Sequence, residues 1–183
     1  MSELPVIFTD LDGTLLDHDT YSAEEARLVL EKVTAKGIPV IPATSKTYSE
    51  VVEFRDSMNL THAFIVENGA ALYVPMDTDI RCPMGSKLFE GYWVREFGVK
   101  RQALCDVLEA LDMNGTYQFK SLTDMRTSEV AEITGLDLAS AKRAQHRLYS
   151  ETLDWRDSEV ALTSFSDAVS YTHLTLPTNG CGE

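Results

Sequence analysis

Strand and helix signals alternate through the first 75 residues, and this alternation constrains the fold more than any other feature of the sequence. The short apolar runs at 6–8, 38–41 and 63–66 have the length and composition of buried strands. Between them, residues 22–36 and 47–58 carry the apolar spacing of amphipathic helices. The order strand, helix, strand, helix, strand predicts an α/β fold with a parallel sheet and right-handed crossovers.

Cap and turn residues mark the ends of these segments. Ser22 and Glu25 have the spacing of a capping box, which predicts the start of the first helix. Gly37 predicts its end, because glycine readily adopts the left-handed conformation that follows a helix. After the third strand, Asn68 and Gly69 form a common hairpin dipeptide, which predicts a tight turn into a fourth strand.

A functional site is expected at the carboxyl ends of the three strands. Ligands of open parallel sheets bind just outside these ends. The residues that follow the strands are Asp10, Thr44 and Glu67. For Glu67, a purely structural role in the turn is an equally good interpretation.

Beyond residue 77 the alternation is looser, which predicts a second, α+β unit instead of a continuation of the first sheet. Its predicted elements are helices at 100–111, 128–134 and 138–147, and strands near 117–119 and 152–155. The last segment contains Thr and Pro residues but no helical period. We therefore expect a core at 1–76, an α+β unit at 77–168, and a tail at 169–183.

The stretch from Asp10 to Thr14 carries the strongest chemical signal. Asp10 and Asp12 are two residues apart directly after a strand, and Gly13 allows a tight turn, so both carboxylates can face one site. One carboxylate can attack phosphorus while the other handles the proton of the leaving group. Asp10 is the better nucleophile because it adjoins the rigid strand. A divalent cation is needed to offset the repulsion from a phosphate, and Mg²⁺ suits oxygen ligands.

Other interpretations of this acidic pair are weaker. An Asp-Gly turn would explain the same residues without any chemistry. A calcium-binding loop fits badly, because Gly13 is at the fourth position of such a loop and Tyr21 is at the twelfth. A phospho-acceptor signalling domain would need its aspartate after the third strand, where Glu67 stands.

Composition excludes several classes of partner. The net charge of −13 argues against a surface that binds nucleic acid or an anionic membrane. No apolar run approaches the roughly 18 residues of a membrane span, and the N-terminus has no cleavable signal pattern, so we expect a cytoplasmic protein. The three cysteines, Cys82, Cys105 and Cys181, are too widely spaced for a disulfide framework or a zinc site. The sequence does not determine the oligomeric state.

Thr44 and Lys46 could supply contacts to a phosphate. Thr44 lies where the second strand meets the next helix, so its hydroxyl and nearby N–H groups can bind phosphate oxygens at a helix N-terminus. Lys46 adds a positive charge that an acidic protein otherwise lacks. Ordinary helix capping by Thr44 and Ser45, and a solvated surface charge at Lys46, are the structural alternatives.

Three segments resemble motifs of a known family. The stretch 8–17 resembles the first motif of the haloacid dehalogenase-type hydrolases, a superfamily with a Rossmann-like parallel sheet and an inserted cap domain. The Ser-Lys-Thr run at 45–47 and the segment 67–70 are similar to those of mannosyl-3-phosphoglycerate phosphatases. The stretch 147–151 resembles part of that family's cap. The resemblance covers roughly residues 5–165.

The resemblance implies a Mg²⁺-dependent phosphatase that acts through an aspartyl-phosphate. Asp10 and Asp12 would be the catalytic and metal-binding residues, and Thr44, Ser45 and Lys46 would bind the phosphate. The implied substrate is mannosyl-3-phosphoglycerate, a small phosphorylated sugar-glycerate, and the products are mannosylglycerate and phosphate. Arg147, Ser150 and Glu151 in the cap would contact the glycerate or the sugar. Glucosyl-3-phosphoglycerate or another sugar phosphate is the alternative substrate within this class.

The chain departs from the superfamily in its last part. The superfamily also uses a later lysine and a Gly-Asp metal motif, yet no lysine follows Lys142 and no Gly-Asp pair occurs in the sequence. The segment after residue 168 looks unlike the family and resembles a non-native tail. We therefore expect this chain to be impaired or inactive as an enzyme. The alternative from another class is an inactive fragment that binds a metabolite or a partner.

Overall fold

A computed structural model describes residues 5–17, 22–113, 115–170 and 172, and it shows a mixed α/β chain. The strands are β1 (Ile7–Thr9), β2 (Val40–Pro42), β3 (Phe64–Val66), β4 (Ala71–Pro75), β5 (Lys87–Phe89), β6 (Tyr92–Glu96), β7 (Phe119–Ser121) and β8 (Leu153–Trp155). The helices are α1 (Glu24–Thr34), α2 (Tyr48–Ser57), α3 (Arg101–Leu111), α4 (Thr127–Thr134), α5 (Leu138–Ala144) and α6 (Glu159–Ser170), with a 3-10 turn at Leu122–Asp124. None of the helices in these described ranges is long and apolar enough to cross a membrane.

The first three strands run parallel, as the alternation predicts. β1 pairs with β2, with Ile7 opposite Val40, and a single parallel bridge from Ala43 to Ile65 joins the end of β2 to β3. Helices α1 and α2 provide the two crossovers. The carboxyl ends of all three strands therefore meet at one edge of the sheet, and the α/β prediction is confirmed.

The helix starts differ from the predicted ones. Helix α1 begins at Glu24 after an N-cap at Ala23, and no side chain caps it, so the capping box predicted at Ser22 is wrong. Ser22 lies one position too early, although its hydroxyl accepts a hydrogen bond of 3.3 Å from the Glu24 N–H. The capping box of this region is instead at the start of α2, where Thr47 and Glu50 bond to each other's backbone N–H.

An antiparallel sheet continues from β3 beyond the predicted core boundary. The turn at Asn68 and Gly69 leads from β3 into β4, as predicted, and the strand order is β3-β4-β6-β5. Strand β6 pairs with β4 and β5 pairs with β6, so this sheet extends beyond the expected core boundary at residue 76. The looser alternation there reflects a switch from parallel to antiparallel pairing, which needs no intervening helices. We propose that the second unit begins after Glu96.

The second unit contains the expected elements with shifted ends. Strands β7 and β8 pair antiparallel, and α4 and α5 pack over a small apolar cluster around Val130 and Ala141. Helix α5 ends at Ala144, three residues before the predicted end at 147. Helix α6 was not predicted. It buries Phe165 against the aromatic rings beside β7 and β8, and it extends through Ser170 into the expected tail. The remainder of that tail, apart from Thr172, lies outside the described residues.

Candidate active site

The turn after β1 presents two carboxylates to solvent. Asp10 and Asp12 are exposed, while Leu11 between them is fully buried in the core. The Leu11 carbonyl accepts hydrogen bonds from the N–H groups of the next turn, and Gly13 has the positive φ of 66° that this tight turn requires. The Leu11 N–H also donates to the Asp10 carboxylate at 2.7 Å. The buried leucine thus anchors the turn and leaves both acids on its outer side.

Lys46 joins this turn to the loop after β2. Its ammonium nitrogen is 2.8 Å from an oxygen of Asp12 and 3.8 Å from an oxygen of Glu50. The lysine side chain is only 15% exposed, so it lies in the site and is not the solvated surface charge of the alternative interpretation. The structure therefore places the predicted cation against Asp12, one of the two predicted catalytic acids, on the turn that also carries Asp10.

Thr44 is buried and fixed by the backbone of the neighbouring strand. Its N–H donates to the Ile65 carbonyl, and its own carbonyl accepts from the Asn68 N–H at 3.0 Å. Its hydroxyl accepts a hydrogen bond of 3.3 Å from the Lys46 N–H. The predicted location at a helix N-terminus is wrong, because α2 starts only at Tyr48 and Thr47 provides its cap.

Glu67 contributes its side chain to this edge of the sheet, whereas the sequence left a role in chemistry and a purely structural role in the turn equally open. Its side chain is fully buried, and its carboxylate accepts hydrogen bonds from the Leu148 N–H at 2.9 Å, the Tyr149 N–H at 3.0 Å and the Ser150 hydroxyl at 2.6 Å. Its φ of 48° is uncommon for a residue with a long side chain. The available signal was an acidic residue at the carboxyl end of a strand. Its partners could not be foreseen because they are more than 80 residues away in the chain.

Two of the three predicted cap residues reach this edge of the sheet. The Arg147 guanidinium donates to the Ser45 carbonyl at 2.9 Å and to the Ser150 hydroxyl at 2.8 Å. Ser150 in turn donates to Glu67. Arg147 does not end helix α5, as the sequence suggested, but lies in the irregular segment that follows it. The segment 147–150 therefore lies against the loop that carries Ser45 and Lys46.

Glu151 has a different set of partners. Its side chain is 3% exposed and forms an ion pair with Arg101 at the start of α3. The Thr123 hydroxyl donates to the same carboxylate at 2.6 Å, and the Thr152 N–H donates to it at 3.1 Å. These donors hold the Glu151 carboxylate within the second unit, so the structure does not bring it together with Asp10, Asp12 and Lys46.

Tyr149 anchors the same segment in the core. Its ring is buried and its hydroxyl donates to Glu96 at 2.6 Å. Burial and the hydrogen bond to Glu96 both raise the pKa of the Tyr149 hydroxyl far above its ordinary value. Partial burial alone would raise the pKa of Glu96, but hydrogen bonds from Lys100, Lys87 and Tyr149 outweigh it and lower that pKa to about 2.

Asp10 and Asp12 are the residues here that could hold a divalent cation. Mg²⁺ is commonly bound by one or two protein carboxylates together with water and substrate phosphate oxygens. Two exposed carboxylates on one turn fit that donor chemistry. Within the described ranges, no group of three or more His, Cys, Asp or Glu side chains could form a fuller metal site. The described part of the chain therefore offers a two-carboxylate ligand set.

Comparison with known proteins defines the class of this fold and site. Residues 7–82, which contain the Asp10 turn and the loop of Lys46, match the family model of the haloacid dehalogenase-like hydrolases. A haloacid dehalogenase-like hydrolase from Bacteroides thetaiotaomicron has the same fold, with a TM-score of 0.60 at 13% identity over 93% of this chain and 65% of that one. The segment 7–82 is thus similar to the haloacid dehalogenase-like hydrolases, and the chain shares their fold.

Curated relatives narrow the comparison further. The chain is 35% identical over 175 residues to a glucosyl-3-phosphoglycerate/mannosyl-3-phosphoglycerate phosphatase of Methanococcoides burtonii, covering 96% of this chain and 64% of the relative. It is also 35% identical over 148 residues to a mannosyl-3-phosphoglycerate phosphatase of Pyrococcus furiosus, covering 81% of this chain and 59% of the relative. The chain thus spans about 60% of the length of these relatives.

Proposed function

We propose that the site at the carboxyl end of β1 belongs to a Mg²⁺-dependent phosphatase that forms an aspartyl-phosphate on Asp10. The observation that carries the proposal is the 2.8 Å ion pair between Asp12 and Lys46, beside Asp10. This pair supports the proposal because it brings a carboxylate and a cation together two residues from Asp10. The match of 7–82 to a hydrolase family supports the same reaction class.

The chain's own residues account for both halves of the reaction. An Asp10 oxygen attacks phosphorus, the bond from phosphorus to the sugar-glycerate oxygen breaks, and a proton from Asp12 goes to that leaving oxygen. Asp12 then accepts a proton from the water that attacks the aspartyl-phosphate, which releases inorganic phosphate and restores Asp10. Lys46 offsets part of the negative charge of the phosphate, which is needed in a chain with a net charge of −13.

Mg²⁺ would be held by the Asp10 carboxylate and by an oxygen of Asp12 that does not carry the transferred proton. When bound, it offsets the repulsion between these acids and the phosphate. Thr44 and Ser45 complete the proposed phosphate-binding loop. Thr44 contributes through the hydroxyl that already accepts a hydrogen bond from the Lys46 N–H.

The proposed substrate is mannosyl-3-phosphoglycerate or glucosyl-3-phosphoglycerate. The proposed location of the protein is the cytoplasm. Both compounds appear in the name of the M. burtonii relative, and the P. furiosus relative is named for the mannosyl compound. Arg147 supports this choice, because its guanidinium reaches the loop after β2 and is suited to a glycerate carboxylate. We propose Arg147 and Ser150 as substrate contacts. We do not propose Glu151 as a substrate contact, because Arg101 and Thr123 bind its carboxylate.

The test uses two proteins, because the chain spans 64% of the M. burtonii relative. One is the 183-residue chain, which we propose to be impaired, and the other is that relative with its aligned residues replaced by those of this chain. Both are assayed with Mg²⁺ on the two sugar 3-phosphoglycerates and on p-nitrophenyl phosphate. The chimera should hydrolyse the sugar 3-phosphoglycerates, and EDTA should abolish the activity until Mg²⁺ is restored.

Asp10→Asn in the chimera should lower turnover by at least about a thousandfold, because a covalent nucleophile is lost, while its circular dichroism stays unchanged. Glu53→Gln on the exposed face of α2 is the matched control and should keep full activity. Activity of Asp10→Asn within about tenfold of the parent, or a folded chimera without turnover, would contradict the proposal.

A further inference from the structure

Glu67 connects two chain segments that are distant in sequence. Through its carboxylate it accepts three hydrogen bonds from residues 148–150, two of them from backbone N–H groups. Through its own backbone N–H it donates to the Lys46 carbonyl at 3.0 Å. Arg147 also connects these two segments, because its guanidinium donates to the Ser45 carbonyl and lies 4.0 Å from the Glu67 carboxylate.

The two sides of this contact depend on each other. A fully buried carboxylate is strongly unfavourable unless donors satisfy it, and here three donors do so. The segment 147–150 belongs to no helix or strand, so its backbone N–H groups need acceptors elsewhere. Glu67 supplies the acceptor for two of them. Loss of the charge at Glu67 would release the segment and leave its donors unpaired.

The turn that carries Glu67 has an unusual backbone conformation. Glu67 and Asn68 both have left-handed backbone conformations, with φ of 48° and 59°. Asparagine adopts this conformation readily, but it is strained in a residue with a long side chain such as Glu67 and persists there only where surrounding contacts enforce it. The Asn68 N–H donates to the Thr44 carbonyl, so the same turn fixes both ends of the loop 44–46.

We propose that Glu67 is a positioning residue that sets where Arg147 and Ser150 stand relative to the phosphate-binding loop. The role given to Arg147 and Ser150 rests on the proposed function, whereas the positioning itself rests on the hydrogen bonds alone. Glu67 touches neither Asp10 nor Asp12 among the contacts of the described residues. It therefore governs binding of the glycerate part of the substrate and leaves binding of the phosphate alone unchanged.

Amide hydrogen exchange on the 183-residue chain tests the positioning without any need for activity. In the wild type, the amides of Leu148 and Tyr149 should exchange far more slowly than in an unstructured peptide, although Leu148 is exposed. In Glu67→Gln, one side-chain oxygen becomes an NH₂ group that faces N–H donors, so both amides should exchange at least roughly tenfold faster. Glu53→Gln on α2 is the matched control and should leave them unchanged. Fast exchange in the wild type overturns the proposal even if the variant fails to fold.

A binding comparison separates positioning from a general role in folding. Calorimetry on the chimera with Mg²⁺ measures the affinity for D-3-phosphoglycerate and for inorganic phosphate. Glu67→Gln should weaken 3-phosphoglycerate binding by roughly tenfold and change phosphate binding by less than about twofold. Equal weakening of both ligands overturns the proposal. If the parent chimera binds neither ligand, the proposed function fails, and the exchange rates of Leu148 and Tyr149 alone decide the role of Glu67.

Discussion

Replacement of Arg101 by methionine, which removes the guanidinium charge, should destabilise the second unit strongly. The Glu151 carboxylate is 3% exposed and the Arg101 side chain is 25% exposed, so Arg101→Met leaves a buried charge without its counter-ion. Breaking a buried pair in this way costs about 3–5 kcal/mol. The Thr123 hydroxyl and the Thr152 N–H still bind the carboxylate, so we expect the lower end, about 3 kcal/mol. The Arg101 backbone N–H keeps its bond to the Leu148 carbonyl, so the variant removes only the side-chain contacts.

Urea and thermal unfolding of the 183-residue chain measure this loss. For a chain of this size, about 3 kcal/mol corresponds to a fall in Tm of roughly 6–12 °C. The matched control is Arg156→Met, which breaks the pair of Arg156 with Asp154, whose side chains are 54% and 29% exposed. That pair is near the surface, so the control should lose at most about 1 kcal/mol.

A double variant tests whether the stranded charge is the cause. Arg101→Met combined with Glu151→Gln removes the charge and retains an acceptor for Thr123 and Thr152, so it should recover most of the lost stability. Two results would refute the reasoning. One is a loss for Arg101→Met as small as that of Arg156→Met, and the other is a double variant no more stable than Arg101→Met.

Three further predictions concern other parts of the chain. The pKa of Glu96 is lowered to about 2 from its ordinary 4.5, so the contribution of Glu96 to stability is complete above about pH 4.5 and is lost as the pH falls toward 2. Glu96→Gln should therefore reduce the loss of urea resistance between pH 5 and pH 3. An unchanged loss would contradict this prediction. Among the described strands β1 pairs only with β2, and its Phe8 is 64% exposed. Phe8→Lys should therefore lower self-association in sedimentation experiments. A wild-type chain that stays monomeric at high concentration would exclude this edge as a contact. Lys46→Gln in the chimera should reduce kcat/KM by roughly a hundredfold with circular dichroism unchanged, and a reduction below threefold would remove Lys46 from the site.

The order of elements in the core could be predicted because it depends on local patterns. Apolar runs of strand length between amphipathic segments specify the parallel unit, and the observed β1, β2 and β3 confirm it. The turn at Asn68 and Gly69 is equally local, since its backbone conformation depends on the residues within it. The helix starts were not fixed by residue type alone. Ser22 and Thr47 both have capping chemistry, yet Thr47 caps α2 whereas the N-cap of α1 is Ala23, one residue after Ser22.

The acidic pair of the candidate site is also a local feature of the sequence. Asp10 and Asp12 follow a strand, and Gly13 permits the turn that keeps both carboxylates exposed. The proximity of Asp12 to Lys46 could be expected, because the carboxyl ends of adjacent parallel strands meet at one edge.

Only the tertiary structure decided the partners of the two buried glutamates. Glu67 and Glu151 are each charged residues in irregular segments, and nothing in their neighbouring sequence distinguishes a ligand-binding side chain from one held by the protein. The fold gives Glu67 the donors of residues 148–150 and gives Glu151 the guanidinium of Arg101. A buried carboxylate is stable only where the fold brings donors to it. Here Arg101 is 50 residues from Glu151 and all three donors of Glu67 are more than 80 residues from it, beyond the reach of any local pattern.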